Sequence, residues 1–314
     1  MEILLKTYKA RQESVVASLG RSRKLHPGIK RIETYQDTEG DYYVVVHHNK
    51  LRLSETKHKS ITEWLNKMKY VRCATIVETV PNNFQTNYKN RDCRFIFDID
   101  STLTHGRPGI IARETKSILG LLKSKGHWIH FATGRREGDV FRMIRYCRTE
   151  PEGIAENGGL IILDGRTEVF GNREEPDAAF WCLVGRYGTR VKQDMQQGSR
   201  RTERIIDNTL RKQEYEKCTK KYNVDILASK SSYHIVAKDI NKGTALRKLI
   251  DDRGWNNDYI VCVGDSDLDV PMFQEADASF AVRSSSALAK KHASYVLAND
   301  FEQGVKEMVT VWFN

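Results

Sequence analysis

The stretch FIFDIDSTLTHG, from Phe95 to Gly106, places two carboxylates directly after a short apolar run. The run FIF has the composition of a buried strand. Asp98 and Asp100 follow it one residue apart, and like charges held that close repel each other, at a cost that burial increases. A structural role would rarely require such a pair. The stretch therefore predicts a cation or a chemical reaction at the end of a strand.

Length and composition indicate a globular chain. Its 314 residues, 39% hydrophobic and 29% charged, are enough for two or three domains. The chain contains no run of about 18 apolar residues, and the N-terminal MEILLKTYKARQ lacks the apolar segment of a signal peptide. The six cysteines are scattered and form no C-x-x-C pair. This favours reduced thiols over disulfides or a zinc site, and predicts a cytoplasmic protein.

Positive charge is concentrated near the N-terminus. The formal net charge is +10, and the first 90 residues hold 16 Lys and Arg against 9 Asp and Glu, a net +7. The remainder holds 35 against 32, a net +3. A basic module is compatible with a nucleic-acid partner and equally with a solvated surface.

Residues 1–90 are predicted to form a separate, small α+β module. The stretch DYYVVVHHNKLRL (41–53) is rich in β-branched and aromatic residues and is broken at 48–50, which predicts a hairpin. SITEWLNKMK (60–69) has a capping-box start and apolar residues at helical spacing, which predicts an amphipathic helix. The polar, turn-rich stretch 80–92 is a predicted linker.

From Arg94 onward, apolar runs alternate with helical patterns. The predicted strands are RFIF (94–97), HWIHFA (127–132), YIVCVG (259–264) and SFAVR (279–283). Helices are predicted over Arg113–Lys125, ended by Gly126, and over Gly243–Gly254. Such alternation is typical of a parallel sheet covered by helices, in which ligands bind beyond the carboxyl ends of the strands.

Polar side chains follow three of these strands and precede one helix. They are Asp98 and Asp100, then Thr133-Gly134-Arg135, then Asp265 and Asp269, and Lys242 in INKGTAL. All are expected to converge on one edge of the sheet. A carboxylate can attack phosphorus, and a second one can serve as general acid and then base. Mg²⁺ prefers oxygen ligands and would relieve the repulsion, so the set predicts Mg²⁺-assisted phosphoryl transfer.

Four of these stretches carry a resemblance to a known family. DIDSTLT, ATGR, NKGTAL and GDSDLDVPMF resemble motifs I to IV of the haloacid dehalogenase (HAD) superfamily, in the same order. The form of these motifs is similar to that of the type IIB phosphatases, which include the Cof-like and sucrose-phosphatase-like groups. The resemblance runs from Arg94 to the C-terminus. It implies an α/β fold, with a Rossmann-like parallel-sheet HAD core and an inserted α+β C2-type cap, beside the N-terminal module.

The resemblance also implies a role for each motif residue. Asp98 would be the nucleophile, and Asp100 the general acid and base. Mg²⁺ would be held by Asp98, Asp265 and the backbone carbonyl of Asp100, while Asp269 would support the metal or orient Lys242. The implied phosphate-binding residues are Thr133, Gly134 and Lys242. The family usually has glycine where this chain has Ser101, so the serine is expected to fit only with a negative φ.

The spacing of the motifs predicts an inserted cap. About 100 residues separate Thr133 from Lys242, far more than a crossover needs. The predicted domains are therefore a module at 1–90, a catalytic core at 91–171 and 238–314, and a cap at 172–237. Eight cations crowd the predicted helical middle of the cap: Arg200, Arg201, Arg204, Arg211, Lys212, Lys217, Lys220 and Lys221. A solvated helix face is favoured for them over contact with a charged leaving group.

Three further residues are interpreted individually. Arg135 and Asn157 are candidate substrate contacts, although an arginine after Thr-Gly and an asparagine in ENGG often only stabilise a loop or turn. His234 is interpreted as a strand residue rather than a substrate ligand.

Two classes of function remain open. The first is a Mg²⁺-dependent phosphomonoester hydrolase with an aspartyl-phosphate intermediate, acting on a small phosphorylated metabolite or sugar phosphate. Within this class, the basic N-terminal module leaves a nucleotide or nucleic-acid terminal phosphatase as the alternative. The second class is a non-catalytic nucleic-acid-binding protein with a HAD scaffold. The complete acidic set favours the enzyme.

Overall fold

The computed structural model describes residues 91–105, 109–192, 197–207, 209–229 and 232–313, together with the backbone of four N-terminal strands. These strands are Glu2–Thr7 (β1), Ile29–Gln36 (β2), Tyr42–His48 (β3) and Val71–Val77 (β4). They form an antiparallel sheet in the order β2-β3-β1-β4. The described backbone of the N-terminal part thus contains a four-stranded sheet.

The predicted hairpin over 41–53 is only partly visible. Its first half is β3, which pairs with β1 and β2 and continues through His48, where the sequence predicts a break. The second half, the predicted helix over 60–69 and most of the predicted linker lie outside the described residues.

The N-terminal sheet belongs to a compact unit that also includes C-terminal residues. This unit contains Met1–Thr86, Leu297–Asn299 and Glu307–Asn314. Its C-terminal part holds the buried side chains of Met308, Val309 and Trp312. A cut within the predicted linker would therefore divide this unit between two fragments.

The second unit, Asn87–Val296 with Asp300–Lys306, contains an eight-stranded sheet. Its strands are Cys93–Phe97 (β5), Trp128–Ala132 (β6), Gly153–Ala155 (β7), Leu160–Leu163 (β8), Arg166–Val169 (β9), Tyr259–Gly264 (β13), Ala278–Ala281 (β14) and Tyr295–Val296 (β15). The spatial order is β15-β14-β13-β5-β6-β7-β8-β9. Neighbours from β15 to β7 pair in parallel, and β8 and β9 are added antiparallel. The predicted α/β class with a parallel sheet is confirmed.

Helices cover this sheet because their apolar faces have a common core to pack into. The described α-helices outside the region between β9 and Lys242 are Arg113–Ser124 (α1), Glu137–Cys147 (α2), Lys242–Arg253 (α5), Val270–Gln274 (α6), Ala287–His292 (α7) and Phe301–Glu307 (α8). Leu246 and Leu249 of α5 pack into one apolar cluster with Ile96 of β5. The predicted ends hold as well: Gly126 after α1 and Gly254 after α5 both have positive φ, the conformation in which glycine ends helices.

Between β9 and α5 the chain forms a second, smaller layer. Its elements are Glu174–Tyr187 (α3), Glu203–Asp207 (β10), Lys212–Thr219 (α4), Val224–Ala228 (β11) and Ser232–Ala237 (β12). The strands make an antiparallel sheet in the order β10-β12-β11. Phe180 and Leu183 of α3 and Tyr215 of α4 pack against Ile206 and Ile235 of this sheet. This is an inserted α+β cap of the kind that the resemblance implies.

The prediction that the cationic middle of the cap is helical is wrong for its first part. Arg204 lies on β10, and Arg200 and Arg201 lie in the turn before it. Arg200 and Arg204 are also buried, so a solvated helix face does not describe them. By contrast, Arg211 and Lys212 at the start of α4 are exposed, as the solvated interpretation expects.

Two findings bear on the composition. In the part of the chain that the structure describes, no helix is both long and apolar enough to cross a membrane. The described cysteines Cys93, Cys147, Cys182, Cys218 and Cys262 are free thiols.

Candidate active site

The carboxyl ends of the central strands bring the predicted acidic residues together. Asp98 follows β5, and Asp265 and Asp269 follow β13, the strand that pairs with β5 in parallel. The backbone amide of Asp98 donates to the carbonyl of Val263 at 2.9 Å, which ties the two strand ends to each other. Oxygen atoms of the three carboxylates lie within 4.8 Å of one another. All three residues are buried.

Lys242 lies between two of these carboxylates. Its Nζ donates to Asp98 Oδ1 at 2.7 Å and to Asp269 Oδ1 at 2.6 Å. The lysine is the first residue of α5, and the side chain of Asn241 caps that helix by accepting from the amides of Gly243 and Thr244. The helix start therefore points a buried ammonium group at Asp98, although the two residues are far apart in sequence.

Asp269 is an anchor inside the site. Its Oδ1 accepts from Lys242, and its Oδ2 accepts from the amides of Asp265 and Ser266 and from the Ser266 hydroxyl, at 2.9–3.0 Å. Gly264 permits this close packing, since a Cβ there would lie 2.6 Å from the Asp269 Cγ. Of the two implied roles for Asp269, these contacts favour orientation of Lys242 over direct support of a metal.

The charges of the cluster are unbalanced. Burial raises the pKa of Asp98 well above its usual value, the nearby Asp269, Asp265 and Asp100 carboxylates raise it further, and Lys242 opposes them. Burial alone would lower the pKa of Lys242, but the Asp269 and Asp98 carboxylates outweigh it and hold that pKa above its usual range. One ammonium group thus faces three carboxylates. Added positive charge would stabilise the ionised form of Asp98.

The Asp100 side chain is not one of the three clustered carboxylates, although its charge acts on Asp98. Its carboxylate is more than half exposed and receives a bidentate contact from Arg135, with Nε at 2.8 Å and Nη2 at 2.6 Å. The same Nη2 donates to the carbonyl of Gly109 at 2.6 Å. The structure therefore brings Arg135 to the predicted acid and base, and separates the Asp100 side chain from the predicted metal ligands.

The expectation for Ser101 is wrong. The residue has a φ of 65°, in the left-handed region, although it is not glycine. The amides of Leu103 and Thr104 both donate to the carbonyl of Ile99, which closes a tight turn directly after Asp100. The left-handed conformation costs a residue that has a Cβ about 1–2 kcal/mol relative to glycine. The serine is therefore locally strained at a position where the family usually has glycine.

The predicted phosphate-binding loop starts at the end of β6. Thr133 is buried, its amide donates to the carbonyl of Ile154 at 3.0 Å, and its Oγ1 accepts from the amide of Arg135 at 3.2 Å. The side-chain amide of Asn157 lies against Gly134, where a Cβ would come within 2.9 Å of Asn157 Oδ1. Asn157 thus contacts the loop, and its side chain is buried.

Sequence patterns did not reveal the contacts between the cap and this loop. Arg200 donates to the carbonyl of Gly134 at 2.8 Å, and Arg136 donates to the hydroxyl of Ser199 at 2.9 Å. Glu203 and His234 are buried beside Arg200. His234 is a strand residue, as interpreted from the sequence, on β12. Its buried acidic neighbour had no distinguishing sequence signal, because a single glutamate in a strand pattern is ordinarily exposed.

Fold and site together are those of a phosphoryl-transfer enzyme with a parallel-sheet core and an inserted cap. The chain belongs to the haloacid dehalogenase-like hydrolase family, whose sequence profile matches residues 95–178 and 191–309. A phosphoglycolate phosphatase of Nitrosopumilus maritimus (strain SCM1) is 30% identical over 216 residues, which cover 68% of this chain and 93% of that protein. The enzyme class is accordingly that of an HAD-type phosphatase, a phosphoric monoester hydrolase.

Solved structures show the same fold at lower identity. A structure from Thermoplasma acidophilum matches with a TM-score of 0.64 at 18% identity, covering 71% of this chain and 99% of that one. An HAD subclass IIB sugar phosphatase matches with a TM-score of 0.58 at 16% identity, covering 69% of this chain and 97% of that one. The second of these structures is thus of the type IIB group that the motifs resemble.

Proposed function

We propose that this chain is a Mg²⁺-dependent phosphomonoester hydrolase that acts on a small phosphorylated metabolite or sugar phosphate through an aspartyl phosphate at Asp98. The observation that carries the proposal is the buried contact of 2.7 Å between Asp98 and Lys242 at the carboxyl edge of a parallel sheet. A structural ion pair would not need the further carboxylates of Asp265 and Asp269 beside it.

The donor set fits Mg²⁺ better than a softer metal. The clustered groups are carboxylates, and Mg²⁺ is a hard ion that takes oxygen ligands. Asp98, Asp265 and the backbone carbonyl of Asp100 would hold the ion, since both oxygens of Asp269 already accept hydrogen bonds within the protein. When bound, Mg²⁺ would offset the excess negative charge and orient a phosphate oxygen.

In the first half of the reaction, a carboxylate oxygen of Asp98 attacks the phosphorus of the substrate. The bond between that oxygen and phosphorus forms, and the bond from phosphorus to the leaving oxygen breaks. Asp100, which carries a proton once its carboxyl group has turned away from Arg135, donates that proton to the leaving oxygen and becomes a carboxylate. Lys242, held in place by Asp269, stabilises the negative charge on the transferring group.

In the second half, water hydrolyses the acyl phosphate. Asp100 accepts a proton from the attacking water, the new oxygen–phosphorus bond forms, and the bond from phosphorus to Asp98 breaks. Inorganic phosphate leaves, and both carboxyl groups return to their starting protonation states. Two chemically easier steps thus replace one direct displacement.

The comparisons support a small phosphorylated substrate. The Nitrosopumilus relative, and others at similar identity, are phosphoglycolate phosphatases. Phosphoglycolate is therefore the first compound to test, followed by sugar phosphates, which fit the capped architecture. Neither the family nor these relatives favour the nucleic-acid alternatives, and the scaffold alternative does not explain why the acidic set is complete.

A substrate screen tests the proposal directly. Phosphate release would be measured from p-nitrophenyl phosphate, phosphoglycolate, sugar phosphates, nucleotides and oligonucleotides with 3′- or 5′-terminal phosphate, each with Mg²⁺ and with EDTA. We expect Mg²⁺-dependent release from a small phosphomonoester and none with EDTA. Turnover by the pure protein in EDTA would overturn the metal requirement. Preference for the oligonucleotides would overturn the substrate class.

A further inference from the structure

A buried polar cluster lies where the cap meets the phosphate-binding loop. Glu203, the first residue of β10, is fully buried, and His234 on the neighbouring β12 faces it. Glu203 Oε2 lies 2.9 Å from His234 Nδ1, and Glu203 Oε1 accepts from Arg200 Nη1. Asn157 Nδ2 also donates to Glu203 Oε2, at 3.2 Å. One carboxylate thus organises three side chains that come from distant parts of the chain.

The charge of this carboxylate is retained inside the protein. Burial would raise the pKa of Glu203, but His234 and Arg200 outweigh that effect and hold it below its usual value. A buried ion pair rarely adds net stability, because desolvation offsets the attraction. Stability therefore does not explain why the chain buries these charged groups, and their contacts with the core indicate a positioning role instead.

Two of the three side chains that Glu203 contacts, Arg200 and Asn157, also contact the same peptide segment of the core. The Arg200 nitrogen that contacts Glu203 also donates to the carbonyl of Gly134 at 2.8 Å. The Asn157 amide lies against Gly134, and the Asn157 backbone amide donates to the carbonyl of Thr133 at 3.1 Å. The Thr133-Gly134 segment is thus held from the cap by Arg200 and from the core by Asn157.

We infer that Glu203 is a positioning residue, which aligns the Thr133-Gly134 loop for phosphate by holding Arg200 and Asn157 against it. Among the described hydrogen bonds and ion pairs, Glu203 contacts neither Asp98 nor Lys242, and its effect on the loop is transmitted through Arg200 and Asn157. The catalytic consequence rests on the proposed function, in which Thr133 and Gly134 bind the phosphoryl group. The structural consequence, a loop held in a fixed position, does not depend on the proposed function.

Other contacts hold this part of the cap in place, so the effect of Glu203 can be separated from cap detachment. The Glu156 carboxylate accepts from the amides of Arg201 and Thr202 and from the Thr202 hydroxyl, at 2.8–3.1 Å. A Glu203→Gln variant keeps these anchors and the shape of the side chain. It removes the negative charge that Arg200, Asn157 and His234 contact.

The expected effect of Glu203→Gln is on the chemical step. A displacement of about 1 Å at a positioned group can cost on the order of 10²-fold in rate. We expect kcat to fall by about 10- to 100-fold with a smaller change in KM, since interactions that strengthen in the transition state act mainly on kcat. The loss should be similar for p-nitrophenyl phosphate and for the best substrate of the screen, because in the proposed mechanism the loop would contact the phosphoryl group and not the leaving group.

Asp177→Asn provides a matched control in the same cap. Asp177 on α3 accepts from Arg173 and Arg204, at 3.0 and 2.6 Å, so this variant also turns a carboxylate with two cationic partners into an amide. Its partner Arg173 also donates to the backbone carbonyl of Arg200, but Asp177 has no described contact with Gly134 or with the Arg200 side chain. Amide hydrogen exchange at 133–136 and steady-state kinetics would be measured for both variants and for the unaltered protein.

We expect faster exchange at 133–136 and a lower kcat in Glu203→Gln only. If Glu203→Gln matches Asp177→Asn in both readouts, Glu203 is merely structural and the inference fails. Should Glu203→Gln not fold, Arg200→Lys keeps the charge but shortens the reach to Gly134, and is expected to give the same two changes. Unaltered exchange and kcat in Arg200→Lys would equally overturn the inference. If the unaltered protein hydrolyses no phosphomonoester and Glu203→Gln still speeds exchange, the proposed function fails while the positioning role stands.

Discussion

Replacing Lys242 with methionine would test whether a buried lysine balances the charge of the acidic cluster. Lys242 is only 2% exposed and contacts the carboxylates of Asp98 and Asp269 at 2.7 and 2.6 Å. Methionine has a similar length and a similar helix propensity, so the start of α5 should persist. The substitution therefore removes the charge and little else.

The structure sets the size of the effect. Removing one partner of a buried ion pair costs about 3–5 kcal/mol, because the other partner stays buried and uncompensated. Repulsion among the remaining carboxylates of Asp98, Asp265 and Asp269 acts in the same direction. For a unit of this size, 1 kcal/mol shifts the unfolding midpoint by about 2–4 °C, so the midpoint should fall by about 10 °C.

Lys248→Met is the matched control. Lys248 lies on the same helix and also contacts two carboxylates, Asp252 at 2.9 Å and Glu168 at 3.2 Å, but its side chain is partly exposed. Exposed ion pairs contribute little, since water screens them. The same substitution on the same helix should therefore leave the midpoint almost unchanged.

Thermal unfolding of the three proteins, followed by circular dichroism in EDTA, would measure the difference. Equal midpoints for Lys242→Met and Lys248→Met would refute the reasoning, since burial is the main difference between the two sites. Phosphatase assays with Mg²⁺ give a second readout. Lys242→Met should be inactive, and Lys248→Met should retain its activity.

Three further predictions concern the site and the core. Asp98→Asn should abolish turnover because an amide cannot form the acyl phosphate, and near-normal kcat in this variant would mean that another group is the nucleophile. Asp100→Asn should lower kcat by roughly 10²–10⁴-fold because it removes the general acid and base. His130 is buried on β6, and burial lowers its pKa to about 3, so the native state holds it neutral. The pKa of this histidine in the unfolded chain is about 6.5. The free energy of unfolding should therefore decrease as the pH falls from 6.5 toward 3, and should be lower by about 2 kcal/mol at pH 5. Unfolding midpoints at pH 7 and pH 5 should differ less in His130→Leu than in the unaltered protein, and equal differences would contradict this origin of acid sensitivity. Ser101→Gly should raise the free energy of unfolding by about 1 kcal/mol by relieving the left-handed serine, with turnover retained; a lower midpoint in thermal unfolding would show that the serine side chain stabilises the turn.

Local sequence patterns were enough to predict the framework of the catalytic core. The apolar runs that became β5, β6 and β13 end within a residue of their predicted ends. Their carboxyl ends meet at one edge because neighbouring strands of a parallel sheet point the same way, so Asp98, Thr133 and Asp265 could be placed together without a structure. Lys242 joined them because it starts the helix that leads into β13.

The orientation of charged groups within that framework required the tertiary structure. Asp269 had two implied roles, and only its hydrogen bonds distinguish them. Asp100 and Arg135 are 35 residues apart, yet they form a bidentate pair in the structure. Ser101 was expected to have a negative φ, but the closure of its turn gives the residue a φ of 65°. Each outcome depends on groups that the local sequence does not contain.

The contacts between cap and core were the least accessible from sequence. Arg200 contacts Gly134, which is 66 residues away in sequence, and Asn157 contacts His234, which is 77 residues away. A charged side chain in a sequence gives no sign of its burial, and exposure is the usual outcome, so Arg200 was grouped with solvated cations. The sequence by itself determined which groups could perform the chemistry, because strand and helix patterns are local. Only the fold decided which charges are buried and paired, since burial depends on chain segments that are remote in sequence.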